Sequence, residues 1–414
     1  MTGTRTEWAV LAATNFPVFV LLVWLGSHRM EDFSAFYTAG FLWRHFPGTG
    51  LYDLNLQMET QRNLLGYSGL PFYHLPYELA IYAPLSLLPY RAALWLWRVV
   101  CLGLLLFTCA TLTRITDRKV NPRDGFLMSL SFFPVLLCLA QGQDSILLLA
   151  IICASAYFYA SGRDATAGAI LALGLFKFQF VLPIVAILVL RRKGRFAVGF
   201  AAVGSAMAAI SLAMVRPEGV SRLAGLIHNA QASTALGVSP TIMPNLRGLL
   251  STIVKTPATA NLLTLGASVV LVLAVGFARR PVQRPLEFAA ATCVATLVSY
   301  HMNPHDMVIL LLPIALVIAQ LRKGEQMVEH LTVLAYLSTV AYLLFLNISN
   351  FAGYVLPAAA LLWILMQKAV APRAISVVPA DASMALSHAF QDQRRLGRLL
   401  VLFPSCVGAT ERSN

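Results

Sequence analysis

The chain reads as a succession of apolar runs separated by short polar breaks. Runs at 8–25, 91–113, 126–140, 145–160, 196–215, 259–278, 286–300, 307–321, 328–346 and 351–367 approach or reach the ~20 residues that cross a bilayer as a helix. Together they predict ten spanning helices. Two stretches fit this pattern poorly. Residues 76–89 are short and contain Pro76, Pro84 and Pro89, while 165–190 is too long for one span and is interrupted by Lys177 and Pro183. Proline removes a helical hydrogen bond and crowds the preceding turn, so both stretches are expected to be broken or re-entrant helices. The first run, Trp8 to Leu25, is followed by Gly-Ser-His-Arg rather than a small-x-small cleavage site, and is expected to be a retained helix. The predicted fold class is an all-α polytopic membrane protein.

Charge gives this pattern a direction. Lys and Arg collect in 114–123, 191–195, 279–284, 322–323 and the tail. If 76–89 does not cross and 165–190 enters and returns, all these clusters fall on one side, as cytoplasmic loops should. Both termini are then cytoplasmic in a multi-pass plasma (inner) membrane protein. Residues 1–367 form the membrane-embedded domain and 368–414 a flexible cytoplasmic tail. The long segments 26–75 and 216–258 face outward and are too long for idle connectors. Hydrophobic residues make up 58% of the chain and charged ones 12%, which excludes a soluble surface. The net charge of +13 sits in topogenic loops, so nucleic acid is not an expected partner. Cys101, Cys109, Cys138, Cys153 and Cys293 lie in or beside apolar runs without metal or redox spacing and read as small core residues; Cys406 is in the tail. The outward sequon Asn347-Ile348-Ser349 matters only in a glycosylating compartment.

A charge at membrane depth costs about 2.5–3.5 kcal/mol, so each polar group there needs a reason. Four places stand out. Glu31 and Asp32 follow the first span. A carboxylate there can take a proton from a hydroxyl, although solvated acids or a helix N-terminal pair account for the spacing equally well. Lys177 is the only lysine within an apolar segment and suits an anionic group, the alternative being an ammonium that snorkels to a headgroup. Ser299 to Asp306 contains His301 and His305, with Asn303, Pro304 and Asp306 reading as an N-cap, first-turn proline and dipole-favoured acid. A helix starting there favours a bound phosphate, whereas a zinc site lacks a third-ligand pattern. The fourth place is the polar break Gln141-Gly142-Gln143-Asp144 together with His74.

The residues Asp32-Phe33-x-x-Phe36-Tyr37-x-Ala39-Gly40, with Leu51-Tyr52-Asp53 downstream, resemble the first external loop of glycosyltransferase family 87, C-type membrane enzymes that use polyprenyl-phosphate sugars. The stretches 83–89, Gly142-Gln143, Gly168 to Lys177 and Ser299 to Asp306 agree in order, and Asn245-Leu246-Arg247-Gly248 more faintly. The resemblance covers about residues 1–367. It departs at His74-Leu75-Pro76, where the family tends to have Tyr-Pro-Pro.

The resemblance implies a C-type glycosyltransferase fold and a single inverting displacement. Asp32 would be the general base. Lys177, His301 and His305 would stabilise the leaving polyprenyl phosphate, and Tyr37, His74, Gln143, Arg247 and Asp306 would complete the substrate site. The expected donor is a polyprenyl-phosphate sugar, mannose first, and the acceptor a lipid-linked or other glycan, with membrane lipids as surroundings. No cofactor is expected, and nothing in the sequence requires a metal beside Glu31 and Asp32. The alternatives are a lipid or small-molecule transporter or flippase, which should show midplane sites between repeated halves, and a structural membrane subunit. No internal repeat is present.

Overall fold

A computed structural model describes residues 31–46, 49–232, 239–278, 283–320 and 351–370, with isolated positions between 13 and 24. The spans expected at 8–25 and 328–346, the sequon and the tail therefore lie largely or wholly outside the described residues. The chain divides into Met1–Val370 and Ala371–Asn414, the second of which is not described. Among the described residues every regular element is helical. The longer helices are α1 (Phe33–His45), α2 (Leu54–Leu65), α3 (Leu79–Leu85), α4 (Tyr90–Ile115), α5 (Pro122–Leu130), α6 (Phe133–Gln141), α7 (Ser145–Ala160), α8 (Asp164–Ala172), α9 (Phe178–Leu190), α10 (Gly194–Ala232), α11 (Leu246–Ile253), α12 (Pro257–Gly276), α13 (Arg284–Val298), α14 (Leu311–Gln320) and α15 (Val355–Val370).

By length and composition, three of these helices are apolar enough to cross a membrane: α4, the 194–228 part of α10, and α12. The number rises to five if each bent pair counts as one span. Their outer faces carry Trp95, Val99 and Phe107 on α4 and Leu262, Leu265 and Val270 on α12, all exposed. Side chains of this kind belong against acyl chains. Opposite faces pack into one core with Trp97, Tyr82, Tyr159, Phe180 and Phe288 fully buried.

The breaks lie largely where proline and glycine put them. Residues 76–89 form a turn, Pro76–Glu78, and the short α3. Residues 165–190 become α8 and α9, bent by 67° around Leu175–Lys177. One break departs from the predicted pattern. The run 126–140 is two helices, α5 and α6, bent by 74°, rather than one straight helix. Pro134 has no N–H for the Leu130 carbonyl, so the helix stops there and restarts at Phe133. The 216–258 segment begins as helix: α10 continues past a bend at Arg216 (φ 58°) and Pro217.

Opened helices need their backbone groups satisfied by protein. At the α8–α9 break the Tyr77 hydroxyl donates to the Leu173 carbonyl (3.0 Å) and accepts from the Phe176 N–H (2.7 Å). The α8–α10 contact depends on two glycines. A Cβ at Gly168 would collide with the Phe196 carbonyl, and one at Gly199 with the Ala165 carbonyl. Small residues let membrane helices approach this closely. Gly168→Val should therefore lower the yield of folded protein and its Tm in detergent. Gly266→Ala, with open space around it, should remain near wild type. Equal behaviour of the two variants in size-exclusion and thermal unfolding would show that the close approach does not matter.

Candidate active site

The site begins with a loop that is held from below by buried amides. The Asp53 side chain caps α2 by accepting from the Leu56 N–H (3.1 Å). On α2, Gln57 donates to the carbonyls of Leu51 and Phe72 and accepts from the Phe72 N–H (2.6 Å). The Tyr52 hydroxyl donates to the His74 carbonyl (2.6 Å). The Leu51-Tyr52-Asp53 motif thus fixes the backbone of residues 72–74 rather than reaching a ligand. From the other side, Gly142 ends α6 with φ 68°, a conformation that suits glycine, and its carbonyl accepts from the Trp97 ring N–H (3.0 Å). That turn presents Gln143 and Asp144.

A buried charge network joins these segments. The Lys177 ammonium lies 2.7 Å from Asp144 Oδ1 and 2.6 Å from Asp306 Oδ1, and donates to Ser145 Oγ (2.7 Å). Ser145 in turn donates to Asp306 Oδ1 (2.7 Å). The other Asp306 oxygen accepts from the Asn303 N–H (2.9 Å), completing the capping box expected from Asn303 and Pro304. His305 Nδ1 bonds with Gln141 Oε1 (2.8 Å). His74 Nδ1 lies 2.8 Å from Glu78 Oε2 and 3.2 Å from Asp144 Oδ2. Burial opposes the His74 charge, yet the Glu78 and Asp144 carboxylates raise its pKa to about 10.

Above this network lies a pocket of about 260 Å³. Its walls include Tyr73, His74, Gln143, Lys177, Arg247 and His301. Arg247, in the first turn of α11, stacks over the Tyr300 ring (3.8 Å) and donates to the Tyr300 carbonyl (3.0 Å), while its buried Nε has no hydrogen-bond partner among the described residues. Its neighbour Asn245 donates to the Ser299 carbonyl (2.7 Å), so the Asn245–Gly248 motif braces the 299–303 loop. Burial pushes His301 down to about 4, leaving it neutral. Asp32 precedes α1 without capping it, and accepts from Gln143 Nε2 (2.7 Å) instead. Burial pushes Asp32 up to about 6, against the Gln143 hydrogen bond and the Lys177 charge.

Of the residues singled out from the sequence, His74, Gln143, Lys177, Arg247, His301, His305 and Asp306 share the pocket wall, and Asp32 reaches it through Gln143. Tyr37 is not on that wall. It is buried and donates to the Leu88 carbonyl (2.8 Å), tying α1 to the end of the 83–89 motif. Glu31 is no solvated loop acid. It is buried among Arg91 (2.9 Å), Arg98 (3.6 Å) and the Tyr90 hydroxyl, so the carboxylates of Glu31 and Asp32 go to different partners. Glu78, Ser145 and Tyr73 escaped the sequence reading. Glu78 carried the same signal as Lys177, a charge inside an apolar stretch, whereas the other two look like ordinary helix and loop residues.

Lys177→Met leaves Asp144 and Asp306 buried without their shared counter-charge. Removing one partner of a buried ion pair costs about 3–5 kcal/mol, so thermal unfolding in detergent should show a marked loss of stability. The double variant Lys177→Met/Asp144→Asn should recover part of it. No recovery would mean that the charge balance is not what holds these helices.

The model of glycosyltransferase family 87 matches residues 72–304, more than half of the 414-residue chain. His74, Gln143, Lys177, Arg247 and His301 lie within the match, whereas Asp32, His305 and Asp306 lie outside it. No curated protein and no solved structure matches the chain.

Proposed function

The chain belongs to glycosyltransferase family 87, and from that premise we propose that it transfers a sugar from a polyprenyl-phosphate donor to a lipid-linked or glycan acceptor at the extracytoplasmic face of the plasma membrane. The membrane domain is 1–367, with ten spans and both termini cytoplasmic, and 368–414 is a flexible tail. The observation that carries the reading is an acid bonded to the pocket-wall residue Gln143 and an arginine in the same wall. Asp32, held by Gln143, supplies the acid; Arg247, with an unpartnered Nε, supplies the cation.

Asp32 takes the proton of the acceptor hydroxyl. The hydroxyl oxygen attacks the anomeric carbon, the bond from that carbon to the phosphate oxygen breaks, and the electron pair leaves with the polyprenyl phosphate. One displacement inverts the anomeric centre. Gln143 holds one Asp32 oxygen, leaving the other for the hydroxyl. Arg247 meets the leaving phosphate, because a guanidinium presents several donors in a fixed fork. His301 lines the same wall as a neutral hydrogen-bonding group. Lys177 acts at one remove: Asp144, Asp306 and Ser145 already engage its ammonium, so it holds the site together rather than gripping the phosphate. Mannose is the sugar that the family resemblance implies.

The test is release of free polyprenyl phosphate from a panel of lipid-phosphate sugars by purified protein. Asp32→Asn should lower transfer by about 10²–10⁴-fold with folding unchanged, the usual worth of general-base help. With Asp32 at about 6, its base form grows as pH rises through that value. The wild-type kcat/KM should therefore climb with pH across that range, and the variant should lose this limb. Wild-type turnover in Asp32→Asn would remove the base and favour transport.

Arg247→Ala should weaken donor use by about ten- to a hundredfold, equivalent to the ~1.5–3 kcal/mol of a charged hydrogen bond. Arg247→Lys should recover only part of this. Unchanged donor KM and kcat in Arg247→Ala would move the phosphate elsewhere in the pocket.

A further inference from the structure

We infer that His74, Glu78 and Asp144 form a divalent-cation site beside the pocket. One imidazole nitrogen from the half-buried His74 and two carboxylate oxygens from the buried Glu78 and Asp144 lie within 4.8 Å of one another. Glu78 Oε2 and Asp144 Oδ2 both converge on the same atom, His74 Nδ1, at 2.8 and 3.2 Å. A ring nitrogen carries at most one proton, and that proton points at one acceptor. Two acceptors closing on one nitrogen instead match the edges of a coordination shell, where ligand bonds of about 2.0–2.2 Å set neighbouring donor atoms roughly 3 Å apart.

A second observation points the same way. Glu78 is 1% exposed, and its other oxygen, Oε1, is buried without a hydrogen-bond partner among the described residues. A carboxylate with one oxygen orphaned in the interior is costly unless a cation takes the charge. Lys177 does not fill this role, and a protonated His74 faces Oε2 and leaves Oε1 without a donor. The lysine sits on Asp144 Oδ1, at 2.7 Å, and leaves Oδ2 facing His74. The two oxygens of Asp144 thus serve two different positive charges.

The ligands are rigidly presented. His74 and Glu78 are four residues apart across the Pro76 turn, with the His74 carbonyl tied to Tyr52 and its ring edge-on to Phe36 (5.3 Å). Asp144 follows the left-handed Gly142 turn and immediately precedes α7. A set of one imidazole and two carboxylates suits Zn²⁺ or Mn²⁺, whereas Mg²⁺ and Ca²⁺ favour oxygen ligands throughout. The ion would clamp residues 74–78 to the start of α7, next to the Gln143 that orients Asp32. The inference does not depend on the glycosyl-transfer reading, and metal content can be measured without any substrate.

Tag-free, full-length protein in detergent is stripped with a chelator, equilibrated with Zn²⁺ or Mn²⁺ in separate arms, desalted, and its metal measured by mass spectrometry. Wild type should retain about one equivalent of at least one of the two ions and gain Tm on loading, because a folded-state ligand stabilises the folded state. In His74→Lys an ammonium replaces the ligand nitrogen, giving the carboxylates a counter-charge but no ligand. This variant should hold about tenfold less metal and show no metal-dependent rise in Tm. Should it fail to fold, Glu78→Gln is read in the same way. Folded wild type that retains no stoichiometric metal, so that a proton alone bridges the three groups, overturns the inference. So does an undiminished equivalent in a folded variant.

Discussion

The Lys177 ammonium, clasped between Asp144 and Asp306, is the interaction on which the rest of the site depends. It joins three separate parts of the chain: the break between α8 and α9, the turn before α7, and the capped segment that starts at Asn303. In an apolar interior any of these charges alone would be costly, and together they satisfy one another. The break is therefore not a defect in a span. It is the place where a helix opens so that its lysine can reach the two acids, with Tyr77 taking up the freed backbone groups.

Building outward from that clasp explains how the pocket acquires its polarity. The Asp144 turn carries Gln143 to Asp32, and the Asp306 segment carries the 299–303 loop to α11, where Arg247 lies over Tyr300. Asp32, behind Gln143, and the buried Arg247 guanidinium, in the wall itself, meet at the same cavity because both are tied, through short hydrogen-bonded links, to the same ammonium. This division of labour separates a lysine with its valences filled from an arginine with a donor to spare.

Charge is spent elsewhere on architecture. Glu287 on α13 accepts the Tyr159 hydroxyl and lies near Arg191 (3.4 Å) and Lys193 (3.3 Å), stapling α13 to α7 and the end of α9. Glu31 does the same between α1 and α4. Glu31, Arg98, Lys177 and Glu287 are all charges in or beside apolar segments, yet among these only Lys177 stands on the pocket wall. Intramembrane charge is thus a marker of something that must be paired, and only geometry tells a clamp from a site.

The sequence by itself determined the helical class, the breaks at 76–89 and 165–190, the capping role of Asn303 and Asp306, and the neighbourhood of most site residues. Each follows from a local rule: apolar periodicity, proline and glycine stereochemistry, or the cost of a charge in an apolar run. It also carried a resemblance to glycosyltransferase family 87 that the family match over residues 72–304 bears out. Pairing was left to the tertiary structure. Which carboxylates take Lys177, that Glu31 turns to arginines while Asp32 turns to Gln143, and that Tyr37 braces a loop outside the pocket are all contacts between residues up to 129 positions apart. The break within 126–140 lay between these extremes, since Pro134 was visible but its bend could be absorbed or expressed depending on packing. Local propensity reads one residue's cost, whereas function here rests on which distant residue meets it.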